Sequence, residues 1–100
     1  MLKIKKEKDG NTLALKLDGR LDTLTAPELE KELVSSMEDV TNVILDFKDL
    51  EYISSAGLRV LLNLEQTMED KGELKVLHVN DEIMEVFEIT GFSEMLDIER

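Results

Sequence analysis

The chain has 100 residues, enough for one domain with its own core but too few for a catalytic domain plus a regulatory one. Its formal net charge of −11 at pH 7 disfavours contact with nucleic acid and with anionic membranes. Cysteine is absent, and residues 1–8 are charged rather than signal-like. We therefore expect a single soluble, cytoplasmic domain over residues 1–100 that binds neither nucleic acid nor membrane.

The first third of the chain predicts a hairpin followed by a helix. Residues 2–8 and 13–18 alternate apolar and polar side chains as half-buried strands do, and the turn sequence at 9–11 predicts that they pair as an antiparallel hairpin. Thr25 and Glu28 have the spacing of a capping box, which predicts a helix that begins here and continues to about residue 38. The apolar stripe of that helix comprises Ala26, Leu29, Leu33, Val34 and Met37.

The rest of the chain alternates strands with helices. The predicted elements are a strand at 42–47, a helix at 56–71, a strand at 74–79, a short helix that follows Asn80 or Asp81 and ends at Gly91, and a strand at 95–98. Gly72 is expected to end the longer helix as a C′ glycine, and the apolar run at 43–45 is typical of a strand covered on both faces. This order predicts an α/β fold with helices packed against one mixed β-sheet, parallel inside and antiparallel at the hairpin edge.

Ser54 and Ser55 lie where a short apolar pair leads into the longer helix. The local pattern alone favours plain helix capping, because a serine oxygen accepts a bond from a free N–H of the first turn. The same position would also stabilise a phosphate, since the helix dipole is positive there. In α/β sheets, ligands gather at such strand-to-helix turns. Both interpretations stay open on the local sequence.

Residues for other chemistries are missing or isolated. His78, the single histidine, lies inside a predicted strand and is expected to be a packing or edge residue, since a metal site needs several ligands. No glycine-rich phosphate loop and no serine–histidine triad are present. Asp46 at a strand end allows a receiver-like domain phosphorylated on aspartate, although the acidic pair and the lysine that such a site needs are missing. We expect no catalytic residues, no metal and no cofactor.

The segment DFKDLEYISSAGLRVLL, residues 46–62, resembles the signature of the STAS domain, in particular that of bacterial anti-sigma factor antagonists. Two further segments agree with this resemblance. Residues 19–26 are similar to the Gly-x-Leu-Asp segment before the family's first helix, and residues 86–92 are similar to its late Phe-x-hydrophobic-Ser/Thr-Gly-hydrophobic segment. The resemblance covers nearly all of the chain and implies the family's single α/β domain.

The resemblance implies a binding protein without catalytic activity. It implies that an anti-sigma factor, itself an ATP-dependent serine kinase, phosphorylates Ser55, with Ser54 as the second choice. The unphosphorylated form would bind that kinase and free a sigma factor for transcription. The phosphorylated form would be released, and a serine phosphatase would reset the switch. The implied partner-binding residues are Gly19, Asp22, Thr23, Thr25, Ser54, Ser55, Ala56, Gly57, Leu58 and Arg59.

A second interpretation keeps the STAS fold without the switch. Sensory scaffolds and transporters also contain STAS subunits, and in such a protein Ser55 would be only a helix cap and binding would be constitutive. Many family members have aspartate where this chain has Ser54. That difference bears directly on which residue accepts the phosphate.

Overall fold

The computed structural model describes all 100 residues and contains one five-stranded sheet. Its strands are β1 (Leu2–Asp9), β2 (Thr12–Leu21), β3 (Asn42–Ile53), β4 (Glu73–Leu77) and β5 (Asp97–Glu99). The helices are α1 (Ala26–Ser36), α2 (Ser55–Glu69), α3 (Asp81–Thr90) and α4 (Phe92–Met95). The strands lie side by side in chain order, with β1 antiparallel to β2 and all other neighbours parallel. The predicted mixed sheet with an antiparallel hairpin at its edge is confirmed.

One face of the sheet carries the core. Leu13, Leu15 and Leu17 of β2 point to this face and are at most 1% exposed, whereas the alternate residues of β2 point away from it. All 24 buried apolar residues form one cluster, so the helices cover this face alone. Ile44 of β3 lies on the other face and is only half-buried. The expectation that β3 is covered on both faces is therefore wrong.

The polar stretch after Phe47, which lies beyond the predicted strand at 42–47, is the second half of β3. Two β-bulges keep this half of β3 paired with β2. Between Asp46 and Asp49, β3 has one residue more than the facing segment of β2, and a second extra residue lies between Leu50 and Tyr52. Each bulge interrupts the alternation of buried and exposed side chains, so periodicity does not reveal this part of the strand.

α1 begins at the predicted position, but the predicted capping box is wrong. The Thr25 hydroxyl accepts a hydrogen bond from the backbone N–H of Asp22 at 2.8 Å and donates one to the backbone oxygen of Arg20 at 2.7 Å. It therefore caps no N–H of α1. Asp22 takes the capping role one turn earlier, because its Oδ1 accepts from the backbone N–H groups of Leu24 at 3.0 Å and Thr25 at 3.1 Å.

Two helices end earlier than the sequence predicts. α1 ends at Ser36, and Val34 on its surface is 76% exposed rather than part of the buried stripe. α2 ends at Glu69, and Gly72 does not have the positive φ of a C′ glycine. Glycine is required there for a different reason: a Cβ atom would overlap the backbone oxygen of Thr41, because the two segments pass so closely.

In the last third of the chain, some of the predictions are confirmed and others are wrong. Asn80, one of the two predicted caps, accepts from the first turn of α3 at 2.8 Å, and Gly91 ends that helix with a φ of 85°. His78 follows β4 with a φ of 58° instead of lying within the strand. The sequence does not predict the short helix α4, and β5 occupies residues 97–99 rather than 95–98.

Candidate functional site

The turns that connect β2 to α1 and β3 to α2 lie side by side at one edge of the sheet. β2 and β3 are parallel neighbours, and Leu21 at the end of β2 pairs with Ile53 at the end of β3. The backbone N–H of Ser54 donates to the backbone oxygen of Leu21 at 2.9 Å and joins the two turns directly. The sheet thus brings both turns to the kind of edge where α/β proteins bind their ligands.

The two serines of the second turn occupy different structural positions. Ser54 is the N-cap of α2: its backbone is extended, with φ −100° and ψ 177°, and its Oγ accepts from the backbone N–H of Gly57 at 3.5 Å. Ser55 is the first residue of the helix, is exposed, and takes no part in the capping bond. Ser54 therefore provides the capping bond of α2, whereas the exposed Ser55 hydroxyl makes no capping bond.

Gly57 allows α2 to start close to the sheet. It is buried, and a Cβ atom on it would lie 2.8 Å from both Ile53 Cγ1 and Leu21 Cγ. Any larger residue would push the start of α2, and the serines with it, away from β2 and β3. Gly57 is among the predicted partner-binding residues, but its burial makes it a support beneath the exposed surface.

The turn between β2 and α1 is held by Asp22 and Thr25. The Asp22 Oδ1 atom accepts hydrogen bonds from the backbone N–H groups of Leu24 and Thr25. The same oxygen lies 3.2 Å from the Thr25 hydroxyl. Partial burial raises the pKa of Asp22, but the hydrogen bonds from Thr25 and Leu24 outweigh it and lower the pKa below its ordinary value of 3.8. Asp22 is therefore a carboxylate at neutral pH. Thr25 is only 4% exposed, so it supports the turn from within.

Arg20 and Tyr52 form the surface beside this turn. The guanidinium carbon of Arg20 lies 4.3 Å from the centre of the Tyr52 ring, within the range of cation–π attraction. Arg20 Nε also lies 3.8 Å from Asp22 Oδ2. The pair places a positive charge next to the site in a chain that is otherwise strongly acidic.

A shallow cavity of about 350 Å³ lies between the starts of α1 and α2. Four of the predicted partner-binding residues line it: Thr23, Ser55, Ala56 and Arg59. The other lining residues are Ala26, Pro27, Glu30 and Val60. Ser55 therefore opens into a space with walls from both helices, large enough for a partner side chain or a phosphoryl group.

The remaining predicted residues lie around this cavity or beneath the surface. Leu58 is half-buried on α2, and Gly19 lies within β2, where a Cβ atom would overlap the backbone oxygen of Met1. Leu24, which the sequence analysis does not include among the partner-binding residues, is 84% exposed on the turn before α1. The available signal was a lone apolar residue between two threonines in a turn.

Asp46 and His78 form a separate pair on the open face of the sheet. His78 Nδ1 lies 2.9 Å from Asp46 Oδ1, and the backbone N–H of Lys48 donates to the same oxygen at 3.0 Å. Partial burial raises the pKa of Asp46, but its hydrogen bonds with His78 and Lys48 outweigh this and lower the pKa below 3.8. Asp46 lies within β3 rather than at a strand end, which contradicts the receiver-like interpretation.

Fold and site together define an α/β domain with a mixed sheet, helices on one face and an exposed serine where the central strand leads into a helix. The family model of the STAS domain matches residues 3–100. BtrV of Bordetella bronchiseptica, named as a candidate anti-sigma factor antagonist, is 36% identical over 99 residues, which cover 97% of this chain and 85% of BtrV. The anti-sigma-B factor antagonist of Staphylococcus aureus is 33% identical over 86 residues, or 84% of this chain and 80% of that protein. The chain belongs to the STAS domain family, among its bacterial anti-sigma factor antagonists.

Solved structures agree with this fold. The anti-sigma factor antagonist SpoIIAA in its unphosphorylated form matches with a TM-score of 0.77 at 17% identity, over 100% of this chain and 87% of that one. The phosphorylated form of this Bacillus protein matches with a TM-score of 0.77 at 20% identity, over 96% and 90%. No helix of this chain has both the length and the apolar character needed to span a membrane.

Proposed function

We propose that this protein is an anti-sigma factor antagonist whose affinity for its partner is switched at Ser55. The unphosphorylated protein binds an anti-sigma factor that is also an ATP-dependent serine kinase, and so frees a sigma factor for transcription. Phosphorylation of Ser55 releases the kinase, and a serine phosphatase restores the binding form. Family membership supports the partner class, and one observation carries the site: Ser55 is exposed while Ser54 makes the capping bond.

The chemistry required of Ser55 is that of an acceptor. Its Oγ attacks the γ-phosphorus of ATP, the bond to the β–γ bridging oxygen breaks, ADP leaves, and the hydroxyl proton passes to a base of the kinase. The product carries about −1.5 to −2 charge and three acceptor oxygens. Because Ser55 begins α2, the positive end of the helix dipole stabilises this charge, and the fold changes little.

Release then follows from bulk and charge at the cavity. A phosphoryl group on Ser55 would occupy space between α1 and α2 that a bound partner otherwise fills. Glu30 lines the same cavity, so a partner seated there would have to desolvate a dianion beside a second negative charge. The partner loses contact area and gains an electrostatic cost, while the antagonist keeps its structure.

The first test identifies the partner and the phosphorylated residue. The tagged protein is captured from its native host, the bound protein is identified and purified, and it is incubated with ATP and each antagonist variant. Mass spectrometry should find a serine kinase that adds one phosphate to Ser55 in the wild type and in Ser54→Ala, and none in Ser55→Ala. Phosphate on another residue would contradict the site. A captured scaffold or transporter without kinase activity would contradict the switch.

The second test measures the change in affinity. Calorimetric titration with the kinase should show that phosphorylated protein binds roughly tenfold more weakly than unphosphorylated protein, or weaker still, because like charges and desolvation oppose the contact. Ser55→Asp adds a single negative charge and should weaken binding in the same direction by a smaller factor. Equal affinity of the two forms would contradict the proposal even where Ser55 is phosphorylated.

A further inference from the structure

Leu24 is an exposed apolar side chain on the turn between β2 and α1. It is 84% exposed, more than any other large apolar residue except Met1. Single exposed leucines are common on protein surfaces and carry no meaning by themselves. Leu24 differs in how its backbone is held and in what lies beside it.

The backbone of Leu24 is fixed by its neighbours. Its N–H donates to Asp22 Oδ1 at 3.0 Å, and the N–H of Thr25 donates to the same oxygen at 3.1 Å. The Thr25 hydroxyl in turn bridges the N–H of Asp22 and the backbone oxygen of Arg20. Because Thr25 is buried, this network ties the turn to the core and holds Leu24 outward. A partner that binds this side chain therefore loses little binding free energy to ordering of the turn.

The same turn is part of the surface around Ser55. Thr23, the residue before Leu24, lines the cavity that Ser55 also lines. The hydrogen bond from the Ser54 N–H to the Leu21 oxygen, at 2.9 Å, couples the two turns. A partner that covers Ser55 closely enough to respond to a phosphoryl group therefore also reaches the turn that carries Leu24.

We propose that Leu24 is an anchor of the interface with the anti-sigma factor and inserts into an apolar pocket on that partner. The inference rests on the proposed function and adds the chemistry of the partner surface: a pocket for one leucine, with basic side chains at its rim. Arg20 and Asp22 pair with each other at 3.8 Å, so the rim is basic because Glu28 is exposed in the first turn of α1 and the chain carries a net charge of −11. An apolar anchor within polar surroundings is a common arrangement at protein interfaces.

The test compares the affinity of the purified anti-sigma factor for unphosphorylated wild type, Leu24→Ser and Ile89→Ser. Ile89 is the matched control, because it is 77% exposed but lies near the end of α3. We expect Leu24→Ser to weaken binding about 10- to 100-fold, as loss of one buried leucine does, and Ile89→Ser to leave it unchanged. Leu24→Met keeps an apolar side chain of similar volume and should retain most of the affinity.

Each outcome of this experiment decides the inference. Because Leu24 is exposed, Leu24→Ser should unfold at the same urea concentration as the wild type, so weaker binding reports on the interface. Equal affinities of wild type and Leu24→Ser would overturn the inference and leave the proposed function intact. Equal weakening by Ile89→Ser would also overturn it. A wild-type protein that binds no anti-sigma factor would overturn the proposed function and the inference together.

Discussion

Replacing each serine at the start of α2 by alanine separates helix capping from phosphate acceptance. Ser54→Ala removes the oxygen that accepts the Gly57 N–H and leaves that donor without its partner. Loss of an N-cap serine costs about 0.5–2 kcal/mol. The bond is long at 3.5 Å, so we expect about 0.5–1 kcal/mol. Ser55→Ala removes an exposed hydroxyl from a helical position that alanine favours, so the expected change is close to zero or slightly stabilising.

Thermal unfolding followed by circular dichroism resolves these values. In a domain of this size, 1 kcal/mol shifts the melting temperature by about 4–8 °C, so Ser54→Ala should melt about 2–8 °C below the wild type. Ser55→Ala should melt at the wild-type temperature or slightly above it. Ser54→Asp is the matched control, because aspartate is an N-cap of similar strength and should restore most of the loss.

Two results would refute this separation of roles. A drop in melting temperature for Ser55→Ala as large as that for Ser54→Ala would make Ser55 a structural residue despite its exposure. Loss of phosphorylation in Ser54→Ala, with the melting temperature still well above the assay temperature, would move the acceptor to Ser54 or make the cap essential to the kinase.

Three further substitutions test contacts that stabilise the fold beneath the site and away from it. Gly57→Ala would place a Cβ atom 2.8 Å from Leu21 Cγ, so we expect a loss of about 1–3 kcal/mol in urea unfolding and slower phosphorylation as α2 shifts. Gly72→Ala would overlap the backbone oxygen of Thr41, so its loss in urea should exceed that of Gly57→Ala, while phosphorylation of the folded protein stays normal. Asp46→Asn removes a carboxylate whose lowered pKa stabilises the fold above pH 3.8 and ceases to do so as the pH falls through the lower, folded-state value. Urea titrations in that acid range should show wild-type stability falling more steeply than that of Asp46→Asn, and parallel curves would contradict the role of this pair.

The order of strands and helices could be predicted because its signals are local. The alternating leucines of β2 fix which face is buried, and their spacing is visible within the strand itself. Asn80 and Gly91 mark the two ends of α3 through contacts with residues only a few positions away. Elements of this kind carry their own boundaries in the sequence.

The incorrect predictions concern residues whose conformation depends on distant partners. The second half of β3 exists because bulges match it to β2, a pairing that no window of sequence within β3 contains. Gly72 is needed because Thr41 passes close to it, not because it ends a helix. Thr25 matched a capping box, but the neighbouring Asp22 and the Arg20 carbonyl compete successfully for its hydroxyl.

In the candidate site, too, local features could be predicted from the sequence, whereas features that depend on distant contacts could not. The STAS motif predicts Ser55 and its neighbours as site residues from sequence alone, because the motif is continuous in the chain. It does not tell exposed residues from supporting ones: Gly57 and Thr25 are buried, whereas Arg59 and Thr23 line the cavity. That distinction depends on how two separate turns pack, which the chain order alone does not determine.

Ser54 stands where many STAS relatives have aspartate, and the structure gives that difference a physical meaning. Serine and aspartate cap a helix about equally well, so either residue maintains the start of α2. An aspartate would also place a negative charge beside a phosphate on Ser55, and two charges about 4 Å apart repel by about 1 kcal/mol in water and more near a protein surface. Ser54→Asp should therefore keep the melting temperature of the wild type and lower the equilibrium ratio of phosphorylated to unphosphorylated protein, reached with kinase, ATP and ADP, by roughly fivefold or more. An unchanged ratio would mean that the helix start screens this repulsion, and that the residue at position 54 serves only as a cap.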